Sequence, residues 1–325
     1  MFTDNISSKI GLLNTSICSM NVGDFIIMDS AQKQLSRIFK KSQKVQFPTH
    51  ERITRVGMKR QKEVQFNILC GTNCLNSSMF LHRQWNIGLL NSFFMKEVIS
   101  LGVGWADYQS KPDLYTSTLL QRMFSKQYIH SVRDSYTEKM LKTAGVLNIV
   151  NTACATMWDL TEEHCNKIPK RKSRSVIFTL TDYRKDIEKD RVLIQSLKKA
   201  YSEVFFWTQG SQDYAYLKTF GSLVNGIKIA PANLSDFDHI LISSPEIDYV
   251  GTRLHAGIRA LQKHRRSMII AVDNRAEEKR KDFNIHVLPR NISTEEYISI
   301  FNENHPTEIW LPEKSIALWK SQFEQ

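Results

Sequence analysis

Little in this sequence announces a function at sight. No run approaches the roughly 20 apolar residues that a membrane helix needs. The opening residues, Met1 to Ile6, lack the basic and apolar regions of a signal peptide, so no secretory leader is expected. Only five cysteines occur in 325 residues: Cys18, Cys70, Cys74, Cys154 and Cys165. Their odd number and irregular spacing exclude a disulfide framework and point to free thiols in a reducing compartment. Cys70 and Cys74 have no matching second pair and only His82 nearby, so no metal site is expected. There is no Walker A loop, no His-Glu-x-x-His pair and no Gly-x-Ser-x-Gly elbow. Zinc-finger spacing, an RNP-type aromatic motif and a basic zipper are missing too, so nucleic acid is not an expected partner. Internal repeats and low-complexity segments are absent.

What is present is an ordinary globular composition, 42% hydrophobic and 24% charged, long enough for two cores. The net charge is +11. Such a surface attracts anionic lipid head groups or phosphorylated substrates. The clusters Lys170–Lys172, Lys263–Arg266 and Arg275–Lys281 read as solvated faces.

Strand-like and helix-like apolar periodicities alternate along the chain, which predicts α/β architecture with mostly parallel sheets. Asn21-Val-Gly-Asp24 opens a helix whose buried stripe is Ile27, Ala31, Leu35 and Ile38, with Asp24 the natural N-cap. Strands are expected at Val64–Leu69, Val98–Val103, Tyr128–Val132 and Val146–Val150. Ser135 to Glu138 reads as a capping box opening a helix that ends near Gly145. The pattern breaks between Asp159 and Arg174, a polar, basic stretch with Pro169. This places the domain boundary so that 1–165 form one Rossmann-like domain and 166–325 a second. In the second half, strands are expected at Ser175–Leu180, Val204–Trp207, Ile227–Ile229, Ile240–Ile242 and Ser267–Val272. Helices are expected at Asp186–Tyr201 and near Ser315–Phe323. Met157, Trp158 and Phe205–Trp207 read as core. In sheets of this kind ligands sit beyond the carboxyl ends of the strands.

The segment Asp248-Tyr-Val-Gly-Thr-Arg-Leu-His-Ala-Gly-Ile-Arg-Ala260 carries the most chemistry. Leu254, Ile258 and Leu261 recur at helical spacing. Thr252, or Asp248 before it, is the expected cap. Arg253 and His255 then fall in or near the first turn, where a cation opposes the helix dipole. Backbone N–H groups, an arginine and a histidine together make an anion site with a proton donor built in. Ser131-Val-Arg-Asp134 puts Arg133 at a strand end before a helix. It reads either as a second anion ligand or as a salt bridge to a neighbouring carboxylate. The glycines of Asn21-Val-Gly-Asp24 and Gly102-Val-Gly104 are too few for a dinucleotide fingerprint.

In order and separation, Asn21-Val-Gly-Asp24, Gly102-Val-Gly104, Ser131-Val-Arg-Asp134 with the helix to Gly145, and Arg253-Leu-His-Ala256 with the strand Met268–Val272 resemble the polysaccharide pyruvyl transferase family. The resemblance implies two Rossmann-like, doubly wound domains of GT-B type facing a cleft, the first on the acceptor side and the second on the donor side. It implies transfer of pyruvate from phosphoenolpyruvate to a sugar of a bacterial surface polysaccharide, or of its lipid-linked precursor, as a cyclic ketal with release of phosphate. No cofactor or metal is implied. On this reading His255 is the general acid–base group and Arg133 and Arg253 hold the donor's anionic groups, with Leu254 and Asn21 beside the substrate. Asp24 either caps its helix or faces the acceptor hydroxyls. The implied setting is cytoplasmic, with peripheral contact at an anionic inner membrane face. Two alternatives share the fold: a glycosyltransferase using a nucleotide-sugar donor, and a non-catalytic glycan-binding relative. Many family members carry an Asp-Pro pair before an aromatic residue where this chain has Asn151-Thr-Ala-Cys-Ala-Thr-Met-Trp158, and the loop Cys70-Gly-Thr-Asn-Cys74 is poor in glycine. Both departures bear on the acceptor.

Overall fold

The computed structural model describes residues 8–324, so the expectation about a leader at Met1 to Ile6 lies outside them. Among the described residues no helix is long and apolar enough to cross a membrane. The chain forms two compact α/β units.

Within the described residues, unit 1 comprises 8–19, 27–158 and 311–324. Its strands are β1 (Lys9–Asn14), β2 (Gln43–Pro48), β3 (Asn67–Cys70), β4 (Val98–Leu101), β5 (His130–Val132) and β6 (Ile149–Asn151). The first four form a parallel sheet in the order β2-β1-β3-β4, and β5 and β6 form a parallel pair. Beyond β4 the pair is carried on by the Gly102 N–H donating to the Ser131 carbonyl at 3.0 Å and by a bridge between Val103 and Val132. His130 helps fix this seam. Its Nδ1 accepts from the Ser100 N–H at 3.3 Å while Nε2–H donates to the Ser125 carbonyl at 2.8 Å, so the buried ring is neutral. Burial pushes its pKa down to about 4.

Unit 2 comprises 20–26 and 159–310. Its strands are β7 (Ser175–Thr179), β8 (Glu203–Trp207), β9 (Lys228–Ala230), β10 (Ile247–Gly251), β11 (Ser267–Ile270) and β12 (Val287–Leu288). They pair in parallel in the order β12-β11-β10-β7-β8-β9. The order reverses between β7 and β10, as in a doubly wound nucleotide-binding sheet, and this creates a crevice at their carboxyl ends. β7 and β10 are buried at every position. β7 matches an expected strand, whereas β10, interrupted by Asp248, has no counterpart among the strands expected from the sequence.

Several expectations are corrected. The chain passes between the units at Trp158 and Asp159, not after residue 165, and residues 311–324 return to unit 1. The cause is the helix Glu313–Ser321. It buries Ile316 and Trp319 in the unit 1 core, with Trp319 edge-on to Trp158 at 5.6 Å. Residues 20–26, expected with the first domain, belong to unit 2. Ile240–Ile242 is not a strand. It lies in the helix Leu234–Ser243, capped by the Asn233 side chain and burying Phe237 and Leu241 one turn apart. Ser135 does not open a capping box. Asp134 is the cap, accepting from the Thr137 N–H at 2.7 Å.

Candidate functional site

The loops after β7, β8, β10 and β11 carry the polar side chains of unit 2 that the topology gathers at one sheet edge. After β10, Thr252 and Arg253 lead into the helix Leu254–Gln262, which buries Leu254, Ile258 and Leu261 as expected. The N-cap is Arg253 itself, with no side-chain cap bond. Neither expected cap holds. The Thr252 hydroxyl faces the Thr179 carbonyl, and Asp248 lies inside β10, bonded to Arg266 and Tyr201. Leu254 and His255 are the first two helical residues, and both are buried.

The Arg253 guanidinium is held by two carboxylates. Nε donates to Asp213 Oδ2 at 3.0 Å, and Nη2 bonds both Asp213 Oδ1 and Asp182 Oδ1. Asp182 follows β7, and Asp213 opens the short helix after β8. Burial pushes the Asp213 carboxyl above its usual range even though Arg253 pulls it down. The same carboxylate accepts from the Gly210 and Gln209 N–H groups. Gly210 is required because a Cβ there would run into the Arg253 guanidinium. Tyr183 lies beneath both Arg253 and Arg275, their guanidinium carbons 5.1 and 5.4 Å from its ring centre. Its hydroxyl donates to Asp273 at 2.9 Å, and Arg275 bonds the same hydroxyl and Asp273. Burial raises Asp273, but Arg275 overcomes this and holds it at about 2.

The N-terminal motif joins this cluster. Asn21 pairs with Gly210 in an isolated bridge, and its Oδ1 accepts from Gln209 Nε2 at 2.9 Å and from the Gly23 N–H at 3.1 Å. Gly23 lies so close to Gln209 that a Cβ would meet Nε2 at 2.7 Å. The helix Val22–Ile38 begins before Asp24, so Asp24 sits in its first turn rather than capping it, and its charge acts on Arg275. Asn21, Asp24, Arg253, Leu254 and His255 are thereby brought into one unit. Sequence reasoning missed Asp182, Tyr183, Asp213, Asp273 and Arg275. Their shared signal is position: each follows the carboxyl end of a central strand.

Two buried oxygens at this edge, Gln209 Oε1 and Thr181 Oγ1, have no hydrogen-bond partner among the described residues. Buried polar atoms are normally satisfied, so these are places for a ligand or water.

Arg133 belongs to unit 1. It is buried, and its Nε donates to Asp134 at 2.9 Å and its Nη2 to the Trp105 carbonyl at 3.3 Å. The salt-bridge reading of Arg133 therefore describes this conformation. Burial raises the Asp134 carboxyl, but the Arg133 charge and the Thr137 N–H outweigh it and hold Asp134 low. A Cβ on Gly104 would run into the Arg133 guanidinium, so the glycine leaves room for it. Gly102, at φ +63°, meets the backbone of Ala153 to Ala155. The segment Asn151–Trp158, where the family pattern is broken, thus packs under the Gly102 turn, tied down by Trp158 Nε1–H donating to the Thr152 carbonyl at 2.8 Å. At the carboxyl ends of β1, β2 and β3, the buried oxygens Thr15 Oγ1, Thr49 Oγ1 and Asn73 Oδ1 have no hydrogen-bond partner among the described residues.

No curated protein matches the chain. Among solved structures, the UDP-GlcNAc 2-epimerase of Methanocaldococcus jannaschii, determined with UDP-GlcNAc and UDP, is similar over 94% of this chain and 95% of its own, with TM-score 0.53 and 11% identity. The Neisseria meningitidis UDP-GlcNAc 2-epimerase bound to UDP-GlcNAc is similar over 98% and 93%, with TM-score 0.49 and 8% identity. At such identity the likeness speaks to fold alone, and the fold is the GT-B type with two Rossmann-like domains. A family model described as polysaccharide pyruvyl transferase matches residues 21–274, which span Asn21, Arg133, Arg253 and His255. The chain belongs to the polysaccharide pyruvyl transferase family.

Proposed function

We propose that this protein moves pyruvate from phosphoenolpyruvate onto two hydroxyls of a surface-polysaccharide sugar, or of its lipid-linked precursor, and releases phosphate. The observation that carries this is the position of Arg253 and His255 at the strand-order reversal of unit 2, inside the matched family segment. Ketal formation needs C3 of the donor protonated, so that C2 gains oxocarbenium character. A sugar hydroxyl then adds, phosphate leaves and a second hydroxyl closes the ring. His255 is proposed to deliver and recover the proton. The N–H groups at the start of the helix Leu254–Gln262 and the Arg253 guanidinium are proposed to hold an anionic group of the donor. Asp182 and Asp213 already balance the Arg253 charge, which keeps the guanidinium fixed but weakens its pull on an anion. Arg133 is proposed to bind a further anionic group of the substrates.

For the acceptor, the unpartnered oxygens of Thr15, Thr49 and Asn73 suit sugar hydroxyls, which both donate and accept. Asp24 is proposed to face the acceptor hydroxyls. No cofactor or metal is proposed. A cytoplasmic location fits the donor.

Thermal shift tests the donor directly, because a ligand that binds only the native state raises the melting temperature. Stabilisation by phosphoenolpyruvate and not by nucleotide sugars supports this reading. The reverse pattern favours a nucleotide-sugar glycosyltransferase, and glycan binding without turnover favours a non-catalytic relative.

A further inference from the structure

Unit 2 has a polar cavity at the opposite edge of its sheet from Arg253 and His255. It lies at the amino ends of β11 and β12, where Ser267 opens one strand and His286 precedes the other, and its volume is about 260 Å³. The turn after the helix Asn274–Phe283 forms one wall and residues 305–309 form another. The walls are bonded in place. The Asn284 side chain donates to the Glu308 carbonyl at 2.8 Å, the Trp310 N–H to the Phe283 carbonyl at 3.0 Å, and the His305 N–H to the Lys170 carbonyl at 2.9 Å.

Three of the side chains lining this cavity are unsatisfied. His286 and His305 face each other with ring centres 3.6 Å apart, and no imidazole nitrogen of either makes a hydrogen bond among the described residues. Ser267 is 5% exposed, and its hydroxyl also has no partner among them. Buried polar groups are normally bonded, so three together mark a place that a ligand completes. Burial, with His305 and Arg266 adding to it, pushes His286 down to about 3. Burial and Arg266 also lower His305, against the pull of Glu303 and Glu308. Both rings are therefore neutral at neutral pH, and each offers one donor and one acceptor nitrogen.

The chemistry of the lining selects the occupant. The nearby cations are already balanced, Arg266 by Asp248 at 3.1 Å and Arg280 by Glu277 at 3.0 Å, so an anion meets no spare charge. A metal ion needs further ligands, and among the described residues no group of three or more suitable side chains occurs. An apolar molecule would leave the imidazoles and the hydroxyl unbonded, at a cost for each. Hydroxyl groups both donate and accept, which is what this lining requires. Drug-sized molecules occupy pockets of about 300 Å³ and more, so the occupant here is small.

We propose that this cavity binds one sugar ring, held by His286, His305 and Ser267, as a saccharide site on the far sheet edge from the reacting centre. It goes beyond pyruvyl transfer and does not depend on it.

Imidazole NMR of the full chain tests this, with the methyl glycosides of galactose, mannose and N-acetylglucosamine as probes. At least one is expected to shift the His286 and His305 signals saturably, while inorganic phosphate and zinc leave them in place. Ser267→Ala is expected to keep or raise the melting temperature, because it removes an unpartnered hydroxyl. His305→Phe keeps a ring against His286 and removes the nitrogens. Each substitution is expected to weaken sugar binding at least about tenfold and to leave stabilisation by phosphoenolpyruvate unchanged. No shift with any of the three glycosides overturns the proposal. So do shifts that both variants leave undiminished, or shifts produced by phosphate or zinc instead. Should phosphoenolpyruvate fail to stabilise the wild type while a glycoside still moves His286 and His305, the transferase reading falls and the sugar site stands.

Discussion

At the residue scale, the chemistry of the candidate site is set by who balances each charge. Replacing His255 by Ala is expected to lower turnover about 100-fold or more while leaving the melting curve in place. Steady-state phosphate release checks this, and near-normal turnover removes His255 from its role. Asp213→Asn has the opposite profile. Asp213 is fully buried against Arg253, and breaking a buried pair leaves an uncompensated charge, so a loss of about 3–5 kcal/mol in unfolding free energy is expected. Chemical denaturation checks it, and a loss below about 1 kcal/mol would show that Asp182 alone balances the guanidinium. Arg253 and His255 were legible in the sequence because a helix start beside a strand end is a local feature. Asp182, Asp213, Tyr183 and Asp273 were not. Asp182, Asp213 and Tyr183 meet Arg253, and Asp273 joins them through Tyr183, only because the strand order brings distant stretches together, which no local pattern encodes.

At the element scale, the β7–β10 seam carries the site, and its closeness depends on Gly251. A Cβ there would meet the backbone N and O of Thr179 at 2.7 Å, and backbone cannot step aside as a long side chain can. Gly251→Ala is therefore expected to cost about 1–3 kcal/mol and to displace Arg253 two residues on. Denaturation read together with donor affinity checks both effects. The same neighbourhood shows where periodicity misleads. Ile240-Leu-Ile242 is three apolar residues in a row and reads as strand, yet capping by Asn233 and burial of Phe237 and Leu241 make it helix. Periodicity cannot separate a short buried strand from a buried helical turn. β7, covered on both faces, is legible as a strand, but β10 is not, because Asp248 interrupts its apolar run.

At the scale of the whole molecule, two cores are built from three pieces of chain in one unit and two in the other. The α/β class and the existence of two Rossmann-like domains were readable from alternating periodicity and motif order. The return of Glu313–Ser321 to unit 1 was not, because Trp319 states only that the helix has a buried face, not which core receives it. Acid sensitivity is a property of this scale. His130 is neutral in the fold with its pKa pushed from 6.5 down to about 4, so the unfolded chain binds its proton first. Its contribution is complete above pH 6.5 and is lost as pH falls toward 4, on the order of 3 kcal/mol. Melting curves through that window are expected to show a falling unit 1 transition, and a flat profile contradicts the buried neutral ring.

The central claim concerns what the protein transfers, and mass spectrometry of the surface glycan from cells with and without the protein reads it most directly. The account predicts that the glycan lacking this activity loses the mass of one pyruvyl ketal and keeps every sugar. An unchanged glycan, or one missing a whole sugar residue, contradicts it.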